Sequence, residues 1–435
     1  MNLIEQKGLM HYSKNMSKLR IKNCGPITSG FNSSDGFMDF GKYTLFIGDQ
    51  GTGKSTVAKL ISICSWLEKA FFRGDYDTEL FNAEDFKELY SNQLLADYFN
   101  KDTELDYIGN AYSFSFHDQT FSVKNNAETF CDYSRPKIMY VPSERNLLSV
   151  IKNVDELDNL PPMLRLLRIR YLQSDDVLQK DGVYPLPLPG YNIIVNKTNG
   201  ETLVQDIKTK KTVPLICASS GLQSIVPSSL VTGHLAMQST RSVLEKIRGL
   251  KRKEFEALRK NIADEQVNSE LERYITSGIA KSVSEDSCAV LREAAKKFIN
   301  DFFLNVVEEP EQNLFPDSQM KNLDFLIDAA KRNKKNKLVM TTHSPYVLSY
   351  ITLAAKAFEL LQKNVPEEKI AKILPRTSWL DGNDCSVFQL ESGSIQLLSS
   401  YGRGLPSDSN MLNKSLGNFN EKFDDLLDLE ESFGS

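Results

Sequence analysis

The feature that most constrains this chain is a glycine-rich segment near its N-terminus, Gly48-Asp49-Gln50-Gly51-Thr52-Gly53-Lys54-Ser55. It matches the pattern GxxxxGK[ST] throughout, and it lies between an apolar run, Tyr43–Ile47, and a helical pattern, Ser55–Trp66. Glycines at these positions let backbone N–H groups curl around phosphate oxygens, and the start of a helix favours the negative charge. The segment therefore predicts a nucleotide-phosphate site in a fold of alternating strands and helices.

The loop gives individual residues expected roles. Lys54 is expected to reach the β- and γ-phosphates of a nucleotide, and Ser55 is expected to ligate Mg²⁺. The residues expected to bind the nucleotide through this loop are Gly48, Gly51, Thr52, Gly53, Lys54, Ser55 and Thr56. Because kinases, GTPases and ATPases all carry such loops, the loop alone does not choose among them.

A second motif lies far downstream, where the apolar run Phe302–Val307 ends in the carboxylates Glu308 and Glu309. An acid at such a strand end holds the Mg²⁺ water shell in P-loop ATPases, so Glu308 is the second expected metal residue. Glu309 is expected to polarise the attacking water as a general base. The alternative is a strand followed by a solvated acidic turn, and the phosphate loop upstream favours the catalytic interpretation.

Three further segments narrow the class of protein. Ala218–Ser224 (ASSGLQS) lies at a predicted helix start, where it is either a signature-like loop or a serine-rich helix cap. The segment LVMTTHSP puts His343 at the end of a predicted strand. The segment YVPSER ends in Glu144 and Arg145, which either serve a ligand or pair with each other.

The order of these five segments resembles that of RecF/SMC-like ABC ATPases, in particular compact heads related to the OLD family but without its Toprim domain. Among these are ATPase subunits of bacterial anti-phage systems of the Septu, retron-associated and PARIS kinds. The resemblance covers residues 19–65, 136–230 and 300–355. It implies an α/β P-loop NTPase head of the ABC type, with a mainly parallel core sheet, an antiparallel β lobe and helical insertions.

The resemblance also implies a reaction: ATP, bound with Mg²⁺, is hydrolysed to ADP and phosphate across a dimer interface. The catalytic residues that it implies are Glu309, His343 and Lys54. It also implies that Ser219, Ser220 and Gly221 bind the γ-phosphate of the ATP that the other subunit holds. His343 would lie near the γ-phosphate as the switch histidine.

The sequence departs from the family pattern at several positions. Glu308 stands where the family usually has aspartate, and Asn313-Leu314-Phe315-Pro316 replaces a common HLHP segment. A long helical insertion separates the signature-like segment from the acidic motif. No glutamine stands at the family's Q-loop, where either Glu144 or Arg145 takes its role.

The motifs divide the chain into parts that we expect to fold as follows. The ATPase core comprises residues 1–65, 136–235 and 301–355; an inserted lobe comprises 66–135, a helical insertion 236–300, and a C-terminal β-hairpin with an acidic tail 356–435. Local patterns also predict an edge strand at Leu19–Asn23, hairpins around Asn199-Gly200 and Ser392-Gly393, and one charged helix at Thr240–Ile262.

The helical insertion carries a local excess of basic residues, Lys246, Arg248, Lys251, Arg252, Lys253, Arg259 and Lys260. They could contact nucleic-acid phosphates. A solvated helix in which glutamates pair with these cations is the alternative. The insertion could equally be an arm for oligomerisation or for docking a partner.

Composition limits the remaining choices. The chain has 435 residues and a net charge of −5, which excludes a generally basic wrapper of nucleic acid. Its six cysteines are scattered without a CxxC pair, as is typical of reduced thiols in a cytoplasmic protein. No apolar run is long enough for a membrane span, and the N-terminus lacks the apolar core of a signal peptide. We therefore expect a cytoplasmic protein with no membrane partner.

Two functions remain open at this point. The first is a defence ATPase that forms a homodimer or a larger homo-oligomer, senses a phage trigger (a protein or a nucleic acid) and controls a separately encoded, nuclease-like effector. The second is a RecF-like DNA-repair ATPase that clamps DNA. The atypical signature-like segment and the large insertions disfavour the ATPase motor of a membrane transporter. A scaffold that does not hydrolyse ATP would require Glu309 to be catalytically inactive.

Overall fold

The computed structural model describes residues 17–151, 160–178, 182–195, 201–280, 283–398 and 410–433. The strands are β1 Ser17–Cys24, β2 Gly30–Phe31, β3 Met38–Phe40, β4 Tyr43–Gly48, β5 Phe99–Ile108, β6 Tyr112–His117, β7 Thr120–Asn125, β8 Pro136–Val141, β9 Val183–Pro185, β10 Tyr191–Val195, β11 Thr202–Asp206, β12 Thr212–Pro214, β13 Phe302–Glu308, β14 Lys337–Thr342, β15 Cys385–Glu391 and β16 Ser394–Leu397. The helices are α1 Lys54–Arg73, α2 Ala83–Ser91, α3 Leu147–Val150, α4 Pro162–Leu172, α5 Ser220–Thr240, α6 Val243–Arg248, α7 Arg252–Asn261, α8 Glu265–Ser277, α9 Glu285–Ala295, α10 Pro316–Lys331, α11 Pro345–Gln362, α12 Glu367–Ala371 and α13 Met411–Phe433.

The core sheet has the order β2-β16-β15-β4-β14-β13-β8 within the described residues. From β15 to β8 all neighbouring strands run parallel. Every residue of β4 is buried, as is every residue of β13 after the first. Parallel strands covered on both faces are continuous apolar runs, which is the pattern that predicted them. The mainly parallel α/β core is confirmed.

A second sheet is antiparallel throughout and has the order β3-β1-β5-β6-β7. It is the expected antiparallel lobe, and it shares one hydrophobic core with the parallel sheet. The prediction that Leu19–Asn23 is an edge strand was wrong, because β1 pairs with β3 on one side and with β5 on the other. Alternation of apolar and polar residues indicates that one face of a strand is buried. It does not determine whether one or both edges of the strand pair with neighbours.

The third sheet, β12-β11-β10-β9, packs against the start of α5. Ile193 and Val204 of this sheet share a buried cluster with Ile225 and Val226 of the helix. The hairpin predicted from the runs 191–195 and 202–207 is confirmed as the pairing of 191–195 with 202–206, whereas the predicted turn at Asn199-Gly200 lies outside the described residues. This sheet supports the helix that begins at the signature-like segment.

The helical insertion has a hydrophobic core of its own, formed by α6 to α9. The single helix predicted for Thr240–Ile262 was wrong, because α6 ends before Gly249 and α7 begins at Arg252. The side chain of Ser242 accepts from the backbone N–H of Glu245, whose carboxylate accepts from the backbone N–H of Ser242. This capping box starts a new helix within the predicted one.

The C-terminal part completes the core sheet. The predicted hairpin is confirmed as the pair β15 and β16, and β15 also runs parallel to β4, next to the phosphate loop. The acidic tail is helical, as α13. Across the described ranges no helix has the length and apolar content needed to span a bilayer.

Candidate nucleotide site

The phosphate loop connects β4 to α1. Gly53 precedes the helix with φ 98°, and no side chain caps the helix start. A Cβ at this position would lie 2.9 Å from Cγ1 of Ile27, so both the conformation and the space require glycine. The first backbone N–H groups of α1 are thus left for an anion, which is an arrangement that fits a nucleotide phosphate.

The remaining loop residues surround this helix start. Gly48 is the last residue of β4, Gly51 has φ 74°, and the hydroxyl of Thr52 donates to the carbonyl of Asp49. In the first turn of α1, Ser55 is exposed and Thr56 is buried. Of these two hydroxyls, the Ser55 hydroxyl is therefore the one open to a ligand.

Lys54 folds back over the loop. Its side chain is 5% exposed, and its Nζ donates to the carbonyls of Gly48 at 2.9 Å and Asp49 at 2.8 Å. Burial lowers the pKa of Lys54 to about 8, although the carboxylates of Glu309 and Asp49 favour its charged form. The cation is therefore held in place with little solvation.

Three motifs that are far apart in sequence meet at Lys54. Its Nζ lies 3.5 Å from Nδ1 of His343, which is 289 positions away, and Nε2 of His343 lies 3.9 Å from Oε1 of Glu309. Burial, and then the charge of Lys54, lowers the pKa of His343 below its usual value. The imidazole is therefore neutral at pH 7.

Glu311 holds the histidine loop, and sequence analysis did not give it a role. Its Oε1 accepts from the Thr342 hydroxyl at 2.6 Å and from the His343 backbone N–H at 2.9 Å. Its Oε2 is buried without a hydrogen-bond partner. Burial raises the pKa of Glu311. The available signal was the position of this residue, which is the third acid and the fourth residue of the run EEPE.

Glu308 ends β13 and is buried. Its Oε1 accepts from the Tyr140 hydroxyl at 2.6 Å, and its Oε2 accepts from the backbone N–H of Ser143 at 3.2 Å. Burial raises the pKa of Tyr140 well above its usual value, so the phenol remains a donor. Sequence analysis missed Tyr140 because the residue belongs to an apolar strand.

The YVPSER segment separates its two charged residues. Glu144 is exposed, whereas Arg145 is buried and forms hydrogen bonds to backbone carbonyls. Among the described residues no ion pair joins the two. Burial lowers the pKa of Lys59, which the charges of Glu308 and Glu144 oppose. Of these two residues, Glu144 is thus the one whose side chain faces solvent.

The signature-like segment lies at the start of α5. Ser219 precedes the helix but its side chain makes no capping hydrogen bond, and both Ser219 and Ser220 are exposed. A Cβ at Gly221 would lie 2.8 Å from the carbonyl oxygen of Asn313, so this turn packs closely on the loop after Glu309. Within the described residues no hydrogen bond or ion pair connects Ser219, Ser220 or Gly221 to the phosphate loop of the same chain.

One family of known proteins matches part of the chain. Residues 287–348, which include the acidic strand end and His343, match the family described as an AAA ATPase domain. No curated protein matches the chain. The phosphate loop, the parallel core and this family match together fit a P-loop ATPase.

Solved structures with a similar fold include SMC heads and ABC cassettes. An Smc head bound to the C-winged helix domain of ScpA is 10% identical, with TM-score 0.40, covering 89% of this chain and 97% of that one. The SMC head domain from Thermotoga maritima is 10% identical, with TM-score 0.35 and coverages of 89% and 99%. The dimeric bacterial ABC transporter cassette MJ0796 is 13% identical, with TM-score 0.25 and coverages of 89% and 100%. These TM-scores are too low to define the fold. The fold is defined by the strand order and strand directions of the core sheet.

Proposed function

We propose that this protein binds ATP with Mg²⁺ and hydrolyses it to ADP and phosphate between two copies of the chain. The observation that carries the proposal is the meeting of Lys54, His343 and Glu309, three residues from separate motifs. A cation, a neutral imidazole and a half-buried carboxylate stand beside an uncapped helix start. This set suits phosphoryl transfer, because catalysis of that reaction is mostly positioning and charge stabilisation.

Each residue has a distinct part in the proposed reaction. Lys54 offers its ammonium group to the β- and γ-phosphates, and the N–H groups at the start of α1 bind the phosphate oxygens. Glu309 orients a water and accepts its proton. His343, whose backbone N–H donates to Glu311, would hydrogen-bond the γ-phosphate in this proposal.

The oxygen atoms at the site suit Mg²⁺. The exposed Ser55 hydroxyl and the Glu308 carboxylate are hard donors of the type that this ion prefers, and Tyr140 and Ser143 orient Glu308. Exposed Glu144 supplies a further carboxylate beside Glu308 and Lys59. When bound, Mg²⁺ would supply positive charge that stabilises the phosphates, and Ser55 and Glu308 would hold it.

We propose that a second copy of the chain completes the nucleotide site, and the signature-like segment is the reason. Ser219, Ser220 and Gly221 form an exposed, uncapped helix start that is not joined to the loop of its own chain. A helix start of this kind binds anions. We therefore propose that it contacts the γ-phosphate held by the partner, which makes the active form a homodimer or a larger closed oligomer.

For the biological role we propose a cytoplasmic, nucleotide-dependent sensor in anti-phage defence, which controls a separately encoded effector after a phage trigger. The support is the resemblance of its motif order to such ATPase subunits. A DNA clamp is less supported, because several basic residues of the insertion are already paired. Lys246 pairs with Asp301 at 3.5 Å, and Arg259 pairs with Glu272 at 2.6 Å.

The test is phosphate release by the purified protein with ATP and Mg²⁺, together with binding of a fluorescent ATP analogue. We expect Lys54→Ala to abolish both binding and release. We expect Glu309→Gln to bind ATP while release stops, because the water loses its base. Release by Glu309→Gln at the wild-type rate would remove Glu309 from its role, and unchanged ATP affinity of Lys54→Ala would overturn the phosphate site.

A further inference from the structure

Arg145 is a buried cation whose hydrogen bonds all go to backbone carbonyls. It is 1% exposed. Its Nη1 donates to Glu308 O at 2.7 Å and to Pro142 O at 3.2 Å, and its Nη2 donates to Glu309 O at 2.7 Å. Its Nε donates to Ser224 O at 3.1 Å. Burial lowers the pKa of Arg145 to about 10, so it remains charged at neutral pH. One guanidinium thus joins the YVPSER segment, the acid pair and the helix α5.

The contact with the acid pair fixes an unusual backbone turn. Glu309 has φ 43°, a left-handed conformation that residues with a side chain rarely adopt. Its own N–H donates to the carbonyl of Thr341 at 2.9 Å, while Arg145 donates to the carbonyls of the two peptide groups that flank Glu309. The direction of the Glu309 carboxylate therefore depends on Arg145.

The contact with α5 is doubled by a second link. Ser224 is the last residue of the signature-like segment; its carbonyl accepts from Arg145, and its hydroxyl accepts from the side-chain amide of Asn313 at 2.9 Å. Asn313 belongs to the loop that follows Glu309 and has φ 59°. The acid loop and the signature helix are therefore connected at Ser224 from both sides.

We infer that Arg145 is a positioning residue that couples the two ATP sites of the dimer. In the proposed dimer, the acid pair of a subunit serves one ATP, and the signature helix of that same subunit serves the other. When α5 contacts the second ATP, Arg145 and Asn313 transmit its position to Glu308 and Glu309 at the first. This inference rests on the proposed function, and it predicts that the two sites hydrolyse ATP cooperatively.

The fork of the guanidinium is the essential feature. Lysine keeps the charge but offers a point donor, which cannot reach carbonyls of three segments in one plane. Arg145→Lys should thus retain ATP binding, because Lys54 and its loop are untouched, while Glu309 loses its fixed direction. A small displacement of a catalytic group costs on the order of 100-fold in rate.

The experiment measures single-site ATP affinity, turnover and the Hill coefficient for ATP in wild type, Arg145→Lys and the matched control Arg252→Lys. Arg252 is an exposed arginine paired with Glu256 in the insertion. For Arg145→Lys we expect an ATP affinity within about twofold of wild type, turnover lowered by about 10- to 100-fold, and a Hill coefficient reduced to 1. Arg252→Lys should behave as wild type.

Other outcomes separate this inference from the proposed function. A wild-type protein that neither hydrolyses ATP nor assembles with it overturns the proposed function itself. A wild-type protein that hydrolyses ATP with a Hill coefficient of 1, or a cooperative Arg145→Lys variant, overturns only the coupling. If Arg145→Lys does not fold, Asn313→Ala decides, because it removes only the second link; we expect a lower Hill coefficient, and an unchanged one contradicts the inference.

Discussion

Raising the pH from 7 to 9.5 should weaken ATP binding, because Lys54 must carry its proton to hold the phosphates. The ammonium group is almost fully buried, and burial lowers the pKa of Lys54 to about 8 in the nucleotide-free protein. Phosphate oxygens beside Nζ favour the charged form, so the pKa of Lys54 rises in the complex. Above pH 8, ATP binding therefore requires proton uptake.

The magnitude follows from linkage. With a free-state pKa of about 8, the apparent Kd increases about 10-fold at pH 9 and about 30-fold at pH 9.5. The effect of pH on folding stability through Lys54 has the opposite sign. Between pH 8 and 10.5 the unfolded chain binds the Lys54 proton and the nucleotide-free folded chain does not, so this lysine adds stability as pH rises, by at most about 1.4 kcal/mol per pH unit.

The assay is titration with a fluorescent ATP analogue from pH 7 to 9.5, with a chelator present so that metal binding does not contribute. Lys54→Arg is the control, because a guanidinium stays protonated over this range and its Kd should change little with pH. His343 does not interfere, since its pKa is lowered and it is already neutral at pH 7. A wild-type Kd that stays constant up to pH 9.5 would refute the reasoning.

Two further predictions concern the surroundings of the site. Ser219→Arg should fold and bind ATP as the wild type does, because Ser219 is exposed. The variant should not hydrolyse ATP, since the new side chain obstructs the partner subunit. Loss of ATP binding in the monomer would mean that the segment is merely structural. Tyr140→Phe leaves Oε1 of buried Glu308 without its donor and should lower the free energy of unfolding by about 1–3 kcal/mol in urea titrations. The control is Tyr346→Phe, at a tyrosine that is 52% exposed, and equal stability of the two variants would contradict the Glu308 contact.

The predictable part of the fold was encoded locally. The strands β4, β13 and β14 are short apolar runs because both of their faces are covered, and the phosphate loop has a fixed spacing because its backbone surrounds an anion. The start of α6 at Val243 was also encoded, since Ser242 and Glu245 have the spacing of a capping box. The prediction of one helix over Thr240–Ile262 followed the charged composition of that segment and overlooked this capping box.

The unpredicted part depends on contacts between distant residues. No local pattern indicates that β15 pairs with β4, or that β1 has a partner on each side. The role of Arg145 is of the same kind, because its acceptors are carbonyls more than 70 positions away, at Ser224 and at the acid pair. A carbonyl acceptor leaves no mark in the sequence, whereas a paired carboxylate does.

The most direct test of the account is the mass of the Glu309→Gln protein by light scattering, with and without ATP and Mg²⁺. The substitution removes the base but leaves the loop, Lys54 and the signature-like segment in place, so bound ATP should persist and hold two copies together. The account predicts that ATP converts the protein to dimers or larger closed assemblies. A mass that does not respond to ATP would contradict the trans role of Ser219–Gly221.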